Sequence, residues 1–115
     1  MYKTINGFTK AKMIDVLCKE YKGQALHIYE DGSKSTVCSY LNTAGQKCAV
    51  GCFIPDGHEG QKIEYGVSSL LFKYRDLRSK MPLIEEGLRL FQIYHDHQAR
   101  SLAEIIGWVI DNVED

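Results

Sequence analysis

The sequence predicts an α+β fold: four helices packed on a small antiparallel β-meander of two or three short strands. Three observations predict it. Apolar residues recur at helical spacing near the start of the chain and throughout its second half. Between these stretches lie short, β-branched segments separated by turn-forming residues. Residues 38–56 are nearly free of charge, interrupted only by Lys47 before Asp56 closes them. They hold three of the four cysteines, two of the ten glycines and one of the two prolines. A stretch so apolar in a chain of 115 residues is expected to be buried, with other elements packed closely on its small residues. That length supplies one modest core, so residues 1–115 read as a single compact domain.

The first helix is predicted over 10–22. Thr9 is its N-cap, Phe8 and Met13 are placed to close a hydrophobic staple, and Gly23 marks its end. Met13, Val16, Leu17 and Tyr21 repeat on one side, with Lys10, Lys12, Asp15 and Lys19 opposite. Residues 25–29 read as a strand, Asp31-Gly32 as a turn, 35–41 as the returning strand, and 42–45 as a second turn. Residues 48–54 read either as a third strand or as one or two helical turns stopped before Pro55. The short helix is preferred, because it sets Cys48 and Cys52 on one face and lets Gly51 admit a close crossing. Residues 55–67, with three glycines and three acids, read as an exposed loop of the length that often carries function.

The rest is helical. Ser68 or Ser69 is expected to cap a helix through Leu70, Leu71, Tyr74 and Leu77. Pro82 suits the first turn of the next helix, in which Ile84, Leu88, Phe91 and His95 share a face. Ser101 and Glu104 form a capping box for a last helix striped by Leu102, Ile105, Ile106, Val109, Ile110 and Val113. The expected core brings together Cys48, Val50, Leu88, Phe91, Ile106 and Val109.

Several groups could carry chemistry. Cys38, Cys48, Cys52 and His58 have the number and type of donors for tetrahedral zinc, but no two cysteines show the two-residue spacing of a zinc knuckle. Buried free cysteines behave as small hydrophobes, and that reading is preferred, so no metal or other cofactor is expected. His95 and Asp96 are about 100° apart on a helix, which disfavours a shared ion; His95 reads as a core histidine bonded to a backbone carbonyl, Asp96 and His97 as surface or cap residues. The glycines at 57, 60 and 66 do not make a phosphate loop. Lys73, Arg75, Arg78 and Lys80 surround Tyr74, and seven tyrosines are many for this length. The candidate binding residues are therefore Asp56, His58, Glu59 and Glu64 in the loop, with Lys73, Tyr74, Arg75 and Arg78 on the following helix.

A formal net charge of −1 argues against broad electrostatic binding to nucleic acid. No apolar run is long enough for a membrane span, and residues 1–7 lack the apolar core of a signal peptide. The cytoplasm is the expected compartment, with the cysteines reduced.

Four strings also carry a resemblance: Cys38-Ser39-Tyr40, the run from Gly45 through Lys47-Cys48-Ala49-Val50-Gly51-Cys52 to Ile54-Pro55-Asp56, Glu64-Tyr65-Gly66, and Gln92-Ile93-Tyr94-His95-Asp96. The chain resembles a family of small, uncharacterised proteins encoded by bacteriophages and bacteria. Glu64-Tyr65-Gly66 departs from that family's adjacent Glu-Gly. The resemblance implies a phage-type origin, a host cytoplasm as the compartment, and no particular chemistry. The preferred function is thus a non-enzymatic accessory protein that binds a host protein, as an anti-defence inhibitor would. The alternatives are a small-ligand or nucleotide-binding (sequestering) protein and a small metal-dependent enzyme. Homo-oligomers remain open.

Overall fold

The computed structural model describes residues 1–23, 25–62, 66–97 and 101–115, and of residues 36–38 the backbone alone. It is an α+β fold with four α-helices and two two-stranded sheets. The elements are β1 (Tyr2–Lys3), α1 (Lys10–Glu20), β2 (Leu26–Ile28), β3 (Lys34–Cys38), α2 (Val67–Lys73), α3 (Glu85–His97), α4 (Leu102–Asn112) and β4 (Val113–Glu114). Three 3₁₀ turns, Val50–Phe53, Glu59–Lys62 and Arg75–Lys80, fill the long connections.

Thr9 caps α1 as expected, its Oγ1 accepting from the Lys12 N–H at 3.1 Å. Phe8 meets the ring of Phe53 edge-on at 5.7 Å. The helix stops at Glu20, two residues earlier than expected, because Tyr21 turns to extended backbone and buries its ring. β2 and β3 form the antiparallel hairpin, with Leu26 opposite Cys38 and Ile28 opposite Lys34 around an irregular register. At its tip Asp31 Oδ1 accepts from both the N–H (2.9 Å) and the hydroxyl (2.6 Å) of Ser33, the side-chain turn that aspartate favours. A lone antiparallel bridge between Leu41 and Lys47 adds a third arm to the meander. It encloses Asn42, whose amide donates to Leu26 O (3.1 Å) and Gln46 Oε1 (2.9 Å) while its Oδ1 accepts from Ala44 and Gln46.

Residues 48–54 resolve as the 3₁₀ turn, buried throughout, and Ile54 returns to extended backbone before Pro55 as proline requires. A Cβ on Gly51 would lie 2.2 Å from Tyr40 O, so the close crossing is with the backbone at Tyr40.

The two ends of the chain meet. β1 and β4 run parallel, with Tyr2 opposite Val113 and Lys3 opposite Glu114. Lys10 strengthens this junction: its backbone N–H donates to the Asp115 carboxylate and its ammonium to Ile110 O at 2.8 Å, among the free carbonyls ending α4. Two-residue strands are too short to show alternation, so no local pattern signals this pairing.

Four expectations about the second half are corrected. Residues 55–67 are not simply an exposed loop: Gly60, Gln61 and Val67 are buried, and a Cβ on Gly60 would meet Leu77 at 3.1 Å and Leu70 at 3.2 Å, a tight fit. The N-cap of α2 is Gly66, which leaves Ser68 and Ser69 exposed in its first turn. α3 begins at Glu85 rather than at Pro82, so Ile84 precedes the helix and is 51% exposed. In α4 it is Ile105 and Val109 that are buried, while Ile106 is half-buried, because the helix meets α1 and α3 along a narrower line than its stripe suggests. The other expected core members, Cys48, Val50, Leu88, Phe91 and Val109, are all buried. The capping box at Ser101 and Glu104 is present.

Candidate functional site

Two of the strings that carry the resemblance, residues 45–56 and 92–96, serve the core. Lys47 is buried to its tip, its side chain only 10% exposed, and its ammonium donates to Glu20 Oε2 at 2.9 Å and Asp56 Oδ1 at 2.8 Å. Burial is the largest single influence on that ammonium and opposes its charge. The hydrogen bonds to Asp56 and Glu20 together outweigh it, and the pKa is raised. Gln92 Oε1 accepts from the otherwise uncapped N–H of Val50 at 3.0 Å, tying α3 to the 3₁₀ turn. The Gln92 amide donates to Asp96 Oδ1 at 2.9 Å, and the same oxygen meets His95 Nδ1 at 2.8 Å. Asp96 is therefore not a mere surface residue, and His95 Nδ1 meets this carboxylate: the side chains of neighbouring residues bend to meet despite their angle on the helix. The buried His95 ring also packs edge-on to Tyr21 at 5.6 Å.

The cysteines follow the same logic. Cys52 Sγ donates to Cys48 O at 3.2 Å and Cys48 Sγ accepts from the Gly51 N–H at 3.4 Å, both inside one turn. Burial pushes the Cys52 thiol up to about 12, the opposite of what a ligand or nucleophile needs. His58 has both ring nitrogens engaged, with Gly60 N–H (2.9 Å) and Asp76 Oδ2 (2.7 Å). Among the described residues no group of three or more His, Cys, Asp or Glu side chains could hold a metal ion. The side chain of Cys38 lies outside the described residues.

The predicted binding residues divide into separate places. His58 stacks edge-on with Tyr74 at 5.2 Å and pairs with Asp76, so the loop and the segment after α2 do face each other. Lys73 lies over the Tyr74 ring at 5.7 Å. Tyr74 is half-buried against the core, which makes it more a structural post than a free contact. Asp56 faces Lys47 and not this patch, Glu59 is exposed in its own turn, and Glu64 lies outside the described residues. Arg75 sits over Phe72 at 5.7 Å, and Arg78 pairs with Glu85 at 3.0 Å.

Phe72 was not expected at the site. It is 70% exposed, and with Ser68, Ser69, Lys73, Arg78 and Glu85 it lines a groove of about 650 Å³. Leu70-Leu71-Phe72 contained the signal: three consecutive helical residues span about 200°, so an inward face cannot hold all of them. The far wall is fixed from the N-terminus, where the Asn6 amide donates to Arg78 O (2.7 Å) and Met81 O (2.8 Å), and Ile5 N–H donates to Pro82 O. Comparison with known proteins finds no matching family model, curated protein or solved structure.

The ion pairs Lys47–Asp56 and His58–Asp76, outside the groove, bear on the acid limb of stability. A hydrogen bond from Lys47 holds the Asp56 carboxyl below the usual range, and one from His58 does so for Asp76. Depressed carboxyls contribute stability that is complete above their unfolded value of about 4 and is lost as pH falls through the folded value. The paired variant Asp56→Asn with Asp76→Asn should therefore narrow the gap in urea midpoint between about pH 6 and pH 3. Both carboxylates are exposed, so the change is small, and an unaltered gap would show that these pairs contribute nothing.

Proposed function

We propose that the chain is a non-enzymatic binding protein that docks on a protein partner through the groove between α2 and the segment from Arg75 to Glu85. The exposed Phe72 carries this reading: a large aromatic left in water beside cations has the composition of an interface anchor. Enzymatic readings lose support because Cys48, Cys52, His58 and His95 are occupied with structural contacts. Taken with the phage-type resemblance, the partner is a host protein, and inhibition of a host defence component is one form such binding takes. A small-ligand role is the second reading, favoured by a groove volume within the range of ligand pockets.

The test combines Phe72→Asp with Arg75→Ala. Both side chains are exposed, so the melting temperature should move by no more than about 2–4 °C while capture of the partner from a bacterial lysate falls at least roughly tenfold. A photo-crosslinking residue replacing Ser69 should label the captured protein, and one replacing Tyr29 at the hairpin tip should not. Full capture by the stable variant would place the functional surface elsewhere. A ligand carried through purification and seen by native mass spectrometry would favour the second reading.

A further inference from the structure

The groove already holds a carboxylate, and that carboxylate belongs to the chain itself. Glu85 Oε1 accepts from Arg78 Nη2 at 3.0 Å and Glu85 Oε2 accepts from the Ser68 hydroxyl at 3.3 Å, so one acid spans both walls. From this we infer that Glu85 stands in for a carboxylate of the partner, and that the groove takes an acidic segment with an apolar side chain beside its acids. The inference rests on the docking reading above and names the chemistry of what docks.

Charge favours that occupant. Between Lys73 and Glu85 the chain carries four cations, Lys73, Arg75, Arg78 and Lys80, and two acids, Asp76 and Glu85, although its formal net charge is −1; Lys73 and Arg78 line the groove, whereas Lys80 lines a separate pocket with Glu20 and Asp56. Asp76 is engaged by His58. Among the described residues Lys73 and Arg75 make no ion pair; they lie over the rings of Tyr74 and Phe72 instead. A carboxylate entering the groove meets Arg78 and Lys73, which line it. An adjacent apolar side chain meets Phe72, the exposed aromatic of the groove lining.

Glu85 is also built to yield. Its contact with Arg78 is a surface ion pair between half-exposed side chains, the class that holds least firmly. Glu85 is the first residue of α3, and a carboxylate released there stays favourably placed beside the free N–H groups of the helix start. The internal acid thus keeps Arg78 neutralised while the groove is empty and competes with weakly matched ligands.

The experiment titrates the isotope-labelled full chain with three probes, following the amides of Ser68, Ser69, Phe72 and Lys73 by NMR. The first is the blocked hexapeptide Asp-Glu-Phe-Leu-Asp-Glu; the second replaces its acids with Asn and Gln; the third is a ten-nucleotide oligo-dT. The acidic peptide should shift the groove amides and bind at least roughly fivefold more tightly than its neutral counterpart. Glu85→Gln, which keeps the size and the hydrogen bond from Ser68, should tighten the acidic peptide by roughly fivefold, and Arg78→Gln should weaken it. A merely structural Glu85 would give no tightening. Equal binding of the neutral peptide, preference for the oligonucleotide, groove amides that stay still, or unchanged affinity in Glu85→Gln would each overturn the inference. If the Ser69 cross-link persists while the acidic peptide shows no preference, the docking face stands and its acidic partner falls. If the acidic peptide behaves as stated but the lysate protein cross-links elsewhere, the chemistry stands and the docking reading falls.

Discussion

Gly51→Ala is expected to destabilise the protein by on the order of 3 kcal/mol, the upper part of the range for an added methyl in a packed interior. The added carbon would lie 2.2 Å from Tyr40 O, 3.0 Å from Tyr40 C and 3.1 Å from Tyr40 Cα. All three are backbone atoms, and no rotamer change moves them away. The chain on either side of Tyr40 is also held, by Ser39 N–H on Ala25 O at 2.6 Å and Leu41 N–H on Gln61 O at 3.1 Å. Relief would require the meander to separate from the 3₁₀ turn. Gly107→Ala provides the contrast: it lies within α4 with nothing within 4 Å of the added carbon, so helix propensity should dominate and stabilise by about 0.5–1 kcal/mol. Urea titration of both variants decides the matter, and a Gly51→Ala loss below about 1 kcal/mol would mean that the crossing is looser than these distances state.

Phe91→Ala should cost about 3–5 kcal/mol, as removal of a fully buried aromatic does. Phe91 is completely enclosed in α3, and its ring lies 4.9 Å from that of Trp108 in α4 at a 35° tilt, so the loss opens a cavity between two helices. Trp108 is the sole tryptophan, and its fluorescence should report the missing neighbour even in the folded variant. Leu90→Ala, one residue earlier and 41% exposed, should change stability by less than about 1 kcal/mol. Similar losses at the two positions would show that α3 is rotated from the orientation described.

Residues 45–56 and 92–96, which carry the resemblance, are separate from the proposed docking groove. Lys47, Gly51, Gln92, His95 and Asp96 position the 3₁₀ turn against α1, the meander and α3. The groove is made from Phe72, Lys73, Arg78 and Glu85, outside those strings. A docking surface can then differ in composition without disturbing what builds the core.

What the sequence determined by itself is local. Thr9, Ser101 and Glu104 specify helix starts because a cap bonds to N–H groups two or three residues away. Asp31-Gly32 specifies the hairpin tip, Pro55 the end of the buried turn, and Gly51 the need for a close crossing. The tertiary structure decided what each of these meets. Only it brings Glu20 and Asp56 to Lys47, sets Gln92 against Val50, and pairs β1 with β4 from opposite ends of the chain. It also turned Ile84, Ile110 and Phe72 outward from apolar runs. Hydrophobicity along a chain states how much surface should be covered, but the covering surface comes from elements distant in sequence. Where no element arrives, as over Phe72, an apolar residue stays in water.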